Sequence, residues 1–98
     1  MYISNWTFRP AAGKQAEVIE NSQKVAEYWE KYGASECHLF VLQGADVGCM
    51  SFIAMFENAE AFGKANDGVV ADPDFQELLT KVSSTGDFVR HNLVRRVF

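Results

Sequence analysis

Cysteine is nearly missing from this chain, with only Cys37 and Cys49 among 98 residues. Two are too few for a disulfide scaffold, and their separation matches no zinc or redox spacing. Both read as small buried hydrophobes, and a cytoplasmic, reducing location is the expectation. Basic residues are also few: nine against thirteen acidic ones leave a formal net charge of −4. Nucleic acid requires a clustered positive face, and Arg90, Arg95 and Arg96 do not make one, so no nucleic-acid partner is expected. No apolar run approaches the roughly 20 residues of a membrane span. The opening residues, Met1 to Trp6, lack a charged region ahead of a greasy stretch, so no signal peptide is expected. Phosphate-cradling glycine loops, Gly-x-Ser-x-Gly and His-Glu-x-x-His are all lacking. Two histidines and scattered carboxylates supply no metal-ligand set. Asp67, Asp72 and Asp74 are explained by helix capping and loop solvation, so no metal and no cofactor is expected.

Apolar side chains, by contrast, are plentiful: 48 % of residues are hydrophobic and 13 % aromatic. The length allows one domain over residues 1–98, which buries only about 60–65 % of its unfolded surface. So large an apolar supply in so small a body points to an oligomer or a greasy cavity.

Residues Tyr2 to Arg9 are β-branched and aromatic, end at Pro10, and predict a strand. From Lys14 the period changes, with Val18, Ile19, Ser22, Val25, Ala26, Trp29 and Tyr32 forming one stripe of a helix that Gly33 stops. Ser35–Gln43 and Val47–Phe56 predict two antiparallel strands around the turn Gly44-Ala45-Asp46. Asn58 caps a helix to about Asn66, and Asp67-Gly68 is expected to break it. Asp72-Pro73 restarts a helix as cap and first residue, with Phe75, Leu78, Leu79 and Val82 as its buried stripe. Ser83 to Asp87 reads as loop and Phe88–Phe98 as the last strand. The order β-α-β-β-α-β is the ferredoxin-like split motif of the α+β class. It predicts a four-stranded antiparallel sheet with its helices on one face.

An antiparallel sheet with one wet face should alternate apolar and polar residues. These strands carry large apolar residues at both parities, so the helix-free face is expected to be apolar as well. Each large side chain left exposed forgoes about 1.5–3 kcal/mol of burial. A two-fold homodimer closing sheet on sheet through the helix-free face is the economical solution, and it tends to leave a cavity. Which face lines that lumen turns on the Gly44 turn. A two-residue loop puts Cys37 opposite Phe52, and a three-residue loop puts it opposite Ile53. The longer turn sets the smaller aliphatics under the helices and predicts a lumen of His38, Phe40, Met50, Phe52 and Phe56.

Three stretches carry a family likeness. They are Pro10 to Gly13-Lys14 at the entry of the first helix, Phe52-Ile53-Ala54-Met55-Phe56 running into Glu57-Asn58-Ala59-Glu60-Ala61-Phe62, and Asp72-Pro73-Asp74-Phe75. With them nearly the whole chain resembles the dimeric α/β barrel superfamily, which includes antibiotic-biosynthesis-monooxygenase-like, NIPSNAP-like and stress-responsive barrel domains. The resemblance implies a homodimer with a pocket in each half. Members include cofactor-free oxygenases, haem degraders, isomerases and lyases. Haem-degrading members use an Asn, a Trp and a His, whereas the corresponding helix positions here carry polar residues around Asn66 and Gln76. That departure argues against haem degradation.

Among single residues, His38 with Glu36 on its face is the candidate general base, because a carboxylate beside an imidazole tunes it for proton transfer. Trp6, Phe40, Met50 and Phe52 are candidate ligand contacts, since flat rings stack on planar compounds. Arg90 and Asn92 share one face of the last strand and suit an anionic or carbonyl group. His91 points the other way between Val89 and Leu93, and reads as a buried side chain with one nitrogen satisfied. Two functions fit. One is an enzyme of the cofactor-independent monooxygenase type acting on an apolar small molecule by positioning and water exclusion. The other is a non-catalytic dimeric module binding a ligand or a protein, such as a stress-associated domain.

Overall fold

The computed structural model describes residues 1–98 and places every expected element in the expected order. Strand β1 (Tyr2–Pro10) leads to helix α1 (Gln15–Lys31), then to β2 (Glu36–Val41) and β3 (Met50–Phe56). Helices α2 (Ala59–Ala71) and α3 (Pro73–Ser83) precede β4 (Gly86–Arg95). The strands form one antiparallel sheet in the order β2-β3-β1-β4, and the helices pack on one face of it. This is the ferredoxin-like α+β architecture that the alternation of helical and strand periods predicts. No helix is long and apolar enough to cross a membrane.

Local chemistry sets the helix ends. Asn58 accepts the Ala61 amide at 2.9 Å and starts α2, satisfying one of the orphan donors of its first turn. Asp72 does the same for α3, accepting the amides of Asp74 at 2.9 Å and Phe75 at 3.3 Å, with Pro73 in the first turn. The other oxygen of Asp72 takes the Tyr32 hydroxyl at 2.6 Å and ties the end of α1 to the α2–α3 corner. That bond and the adjacent backbone amides hold the Asp72 carboxyl below the usual carboxylate range, against the opposing effect of its burial.

Four features depart from the sequence reading. Asp67-Gly68 does not break α2, which runs on to Ala71. Gly68 is there for space instead, because a β-carbon at that position would overlap the Tyr32 ring. The last strand begins earlier and ends earlier than Phe88–Phe98, since Gly86 already pairs with Pro10. The turn after β2 is a short 3-10 segment at Gly44–Asp46, and the ladder closes with Leu42 donating to the Cys49 carbonyl at 3.0 Å. Cys37 consequently lies opposite Ala54, not Ile53.

That last shift moves the β3 residues to the opposite face and leaves those of β2 where they were expected. Met50, Phe52 and Phe56 lie on the helix side with Trp6, Phe8 and Leu39, while His38 and Phe40 lie on the helix-free side. The helix-free face is therefore mixed and not uniformly apolar. Ile3, Ile53, Met55, Phe40 and Val94 share it with Asn5, Thr7, Ser51, Glu36, Arg90 and Asn92. Beneath the helices the core centres on Trp29, with Ala54, Phe56, Ala65, Val69 and Phe75 buried around it.

Tyr32 cannot swing away from an added methyl at position 68 without giving up its bond to Asp72. Gly68→Ala is therefore expected to destabilise the protein by about 1–3 kcal/mol, the usual range for overpacking, read as a lower urea midpoint with unchanged slope.

Candidate functional site

The stripe of α1 that faces the sheet does not close completely on it. Between Val18, Val25 and Trp29 of α1, the α2–α3 pair and the sheet runs a cleft of about 230 Å³. Its floor is Trp6, Phe8, Leu39, Met50, Phe52 and Phe88, and its roof includes Val69, Phe75, Leu79 and Val82. Fourteen of its seventeen lining residues are hydrophobic, the other three being Ser22, Asn66 and Gln76. None of the seventeen side chains titrates in the physiological range.

Aromatic rings build the wall. Trp6 stands 5.2 Å from Trp29 and 5.8 Å from Phe52, centroid to centroid, both tilted. Trp29 in turn meets Phe56 at 5.8 Å and Phe75 at 6.1 Å edge-on, which fixes its ring from two further elements. Of the polar lining groups, Gln76 is committed on its nitrogen, which donates to the Val69 and Val70 carbonyls at 3.3 Å each. This caps the C-terminal carbonyls of α2 and leaves the Gln76 amide oxygen as a fixed acceptor. Neighbouring Asn21 is 2 % exposed and its amide nitrogen has no partner, but it is not part of the lining.

A second hollow, about 420 Å³, lies between α1 and the edge strand β2 and shares Ser22, Leu39, Met50 and Phe52 with the cleft. A third, about 370 Å³, lies along β4 and shares Trp6 and Phe88 with it. The cleft thus adjoins a hollow on each of two sides.

The structure divides the sequence-predicted residues. Trp6, Met50 and Phe52 come together in the cleft, though beneath helices and not in a lumen between two sheets. Phe40 is 51 % exposed on the helix-free face, away from them. His38 is also exposed there, with Nε2 3.3 Å from the Glu36 carboxylate, and it does not line the cleft. Arg90 and Asn92 occupy the helix-free side of β4. The Arg90 guanidinium donates to Asp46 at 2.8 Å, which holds the Asp46 carboxyl below its ordinary range. Arg90 is therefore already paired and does not offer a free cation.

Sequence reasoning missed Ser22, Val25, Trp29, Gln76 and Leu79 as lining residues, because a helical apolar stripe reads first as core. Ser22, a polar residue set within the Val18–Val25 stripe, was the signal that this stripe faces something other than packed hydrocarbon. His91 is exposed as a residue, not buried, but the expected single satisfied nitrogen is present: Nε2 lies 2.6 Å from the Ser4 hydroxyl.

Burial pushes the Cys37 thiol up to about 12, and Cys49 is 1 % exposed. Cys37 therefore presents no nucleophilic thiolate at neutral pH, and Cys49 is shut away from solvent. Both are expected to stay silent toward Ellman's reagent at pH 8 in the folded protein and to react together once guanidinium unfolds it. Prompt reaction of one thiol in native buffer would show that the β2 edge opens.

The sequence matches no protein-family model and no curated protein. The fold, however, is shared with solved structures. SnoaB, a cofactor-independent oxygenase from Streptomyces nogalater, superposes with a TM-score of 0.78 at 18 % identity, over 99 % of this chain and 93 % of that one. A NIPSNAP domain protein from Burkholderia xenovorans gives 0.79 at 15 % identity, over 99 % and 95 %. A NIPSNAP family protein of unknown function from Agrobacterium tumefaciens gives 0.77 at 14 % identity, over 96 % and 86 %. At these identities what is shared is the fold.

Proposed function

We propose that the cleft binds a flat apolar molecule of one or two rings. The observation that carries this reading is the aromatic-walled space of about 230 Å³ with only three polar lining residues. A cavity of about 150 Å³ accommodates benzene, so this volume suits a bicyclic compound and is tight for anything larger. The rings of Trp6, Trp29 and Phe52 supply stacking surfaces, and Ser22, Asn66 and the Gln76 oxygen supply orientation.

The finer reading is a cofactor-independent oxygenase, supported by the fold shared with SnoaB. Without a titratable lining group, chemistry in the cleft falls to the substrate's own electrons, and the protein contributes positioning and water exclusion. The same lack of an acid or base favours a second reading, a binding module without turnover. Naphthalene is expected to bind with a Kd on the order of 0.1 mM, from about 0.5 kcal/mol per ring atom. Binding is followed by shifts of the two tryptophan indole resonances, and Leu79→Trp, which fills the cleft, is expected to abolish it with the fold intact. Failure of naphthalene to shift either indole would remove the binding reading. Oxygen uptake with 1,4-dihydroxynaphthalene above its spontaneous rate, lost in Leu79→Trp, separates the oxygenase from the binding module.

The protein acts as a homodimer through the helix-free face. Ile3, Ile53 and Met55 are half-buried there beside the more exposed Phe40 and Val94, and closing two such faces removes all five from water. The interface is weaker than an all-apolar face would give, because polar groups alternate through it. Sedimentation equilibrium is expected to show a dimer at micromolar concentration that Ile53→Lys converts to a folded monomer. A wild-type monomer at that concentration would sink the proposal.

A further inference from the structure

The cleft contains no titratable side chain, but one stands beside its floor, on the neighbouring strand β4. His91 pairs with Trp6 across the β1–β4 ladder, and the two rings stack at 4.6 Å with planes 11° apart. Its Nε2 is held at 2.6 Å by the hydroxyl of Ser4, a residue with no exposure at all. The ring is thus fixed in position by a stack on one side and a part-buried hydrogen bond at one end. Nδ1 has no partner in the protein. The Ser4 hydroxyl both donates and accepts, so His91 can present Nδ1 either as a lone pair or as an N–H.

Next to this ring lies the hollow of about 370 Å³ bounded by Trp6, Phe88, Val89, Arg90 and His91. Trp6 and Phe88 bound the cleft as well, so the same two rings border both spaces. A bulge in the ladder between Thr7 and Phe8 leaves Val89 unpaired and turns β4 at this point. Bulges re-aim side chains, and here Phe88 meets Phe8 edge-on at 5.0 Å while remaining 52 % exposed. Partial burial of the His91 ring pushes its pKa below the ordinary histidine value, which keeps it neutral at pH 7. Arg90 borders the hollow from a strand position whose side chain belongs to the helix-free face, and its guanidinium is matched by Asp46 at 2.8 Å. A neutral polar group therefore fits this space better than an anion.

We infer that His91, set by Ser4 and Trp6, forms a polar subsite at the β4 side of the cleft that takes a neutral hydroxyl substituent of the bound ring system. The inference rests on the cleft binding an apolar ring and adds its substituent and the side on which that substituent sits. His91 is here a specificity residue, and the size of the cleft keeps the ligand to a one- or two-ring phenol.

The test compares naphthalene with 2-naphthol by NMR titration of the wild type, of His91→Phe, which keeps a ring on Trp6, and of Ser4→Ala. In the wild type 2-naphthol is expected to bind about tenfold more tightly than naphthalene, the worth of one hydrogen bond in a partly dry site. It is also expected to shift the His91 imidazole nitrogens, which naphthalene leaves in place. In His91→Phe the two compounds are expected to bind alike, at the wild-type affinity for naphthalene. Ser4→Ala, which frees the ring, is expected to lose most of the preference. Equal affinities in the wild type, or a preference that survives His91→Phe, would overturn the subsite and leave the apolar cleft standing. The imidazole shift is read on the wild type and does not depend on either variant folding. Binding of neither compound overturns the subsite together with the cleft.

Discussion

Trp29 is the contact on which the arrangement turns. It is 4 % exposed and reaches from α1 to β1 through Trp6, to β3 through Phe56 and to α3 through Phe75. One indole thus sets the distance between the helical layer and the sheet at the wide end of the core. Toward the start of α1 the side chains become smaller, Val25, Ser22 and Val18, and they cannot span the same gap. The cleft is the geometric remainder of a large ring at one end of a helix and small side chains at the other. Cores are otherwise packed near crystal density, so an unfilled apolar space of this size marks a site where packing has been given up.

Much of this was legible from residue types. Period, capping chemistry and the Asp72-Pro73 pair defined every element and its order, because each rests on local backbone physics. The face assignment was not legible, and the reason is parity. A strand has a period of two, so one residue in the Gly44–Asp46 turn decides whether Phe52 faces helices or a partner. That turn forms a 3-10 segment whose length the flanking hydrophobic pattern does not encode. Gly68 misled for a related reason: its role is set by Tyr32, 36 positions away in the chain, and only the fold brings them together. Of the candidate site, Trp6, Met50 and Phe52 were found by type. The roof residues and His91 were read as core.

Three proteins at 14–18 % identity share this backbone over nearly its whole length. At that level the shared property is the pattern of apolar periods and turns, and fold alone does not transmit chemistry. What this chain itself carries is local: a cleft lined without a charged side chain and the His91 imidazole beside Trp6.

The Asp46–Arg90 pair bears on the mechanics of the sheet. It joins the β2–β3 turn to β4, with β1 lying between, so it spans roughly 10 Å of sheet width at two strand spacings. An exposed pair of this kind contributes little to stability, but it ties the β2–β3 turn to β4 at one end of the sheet. The pair thus closes the end of the sheet where Phe8, Val18, Met50 and Val82 pack, while at the opposite end the Arg96 amide donates to the Met1 carbonyl at 2.9 Å.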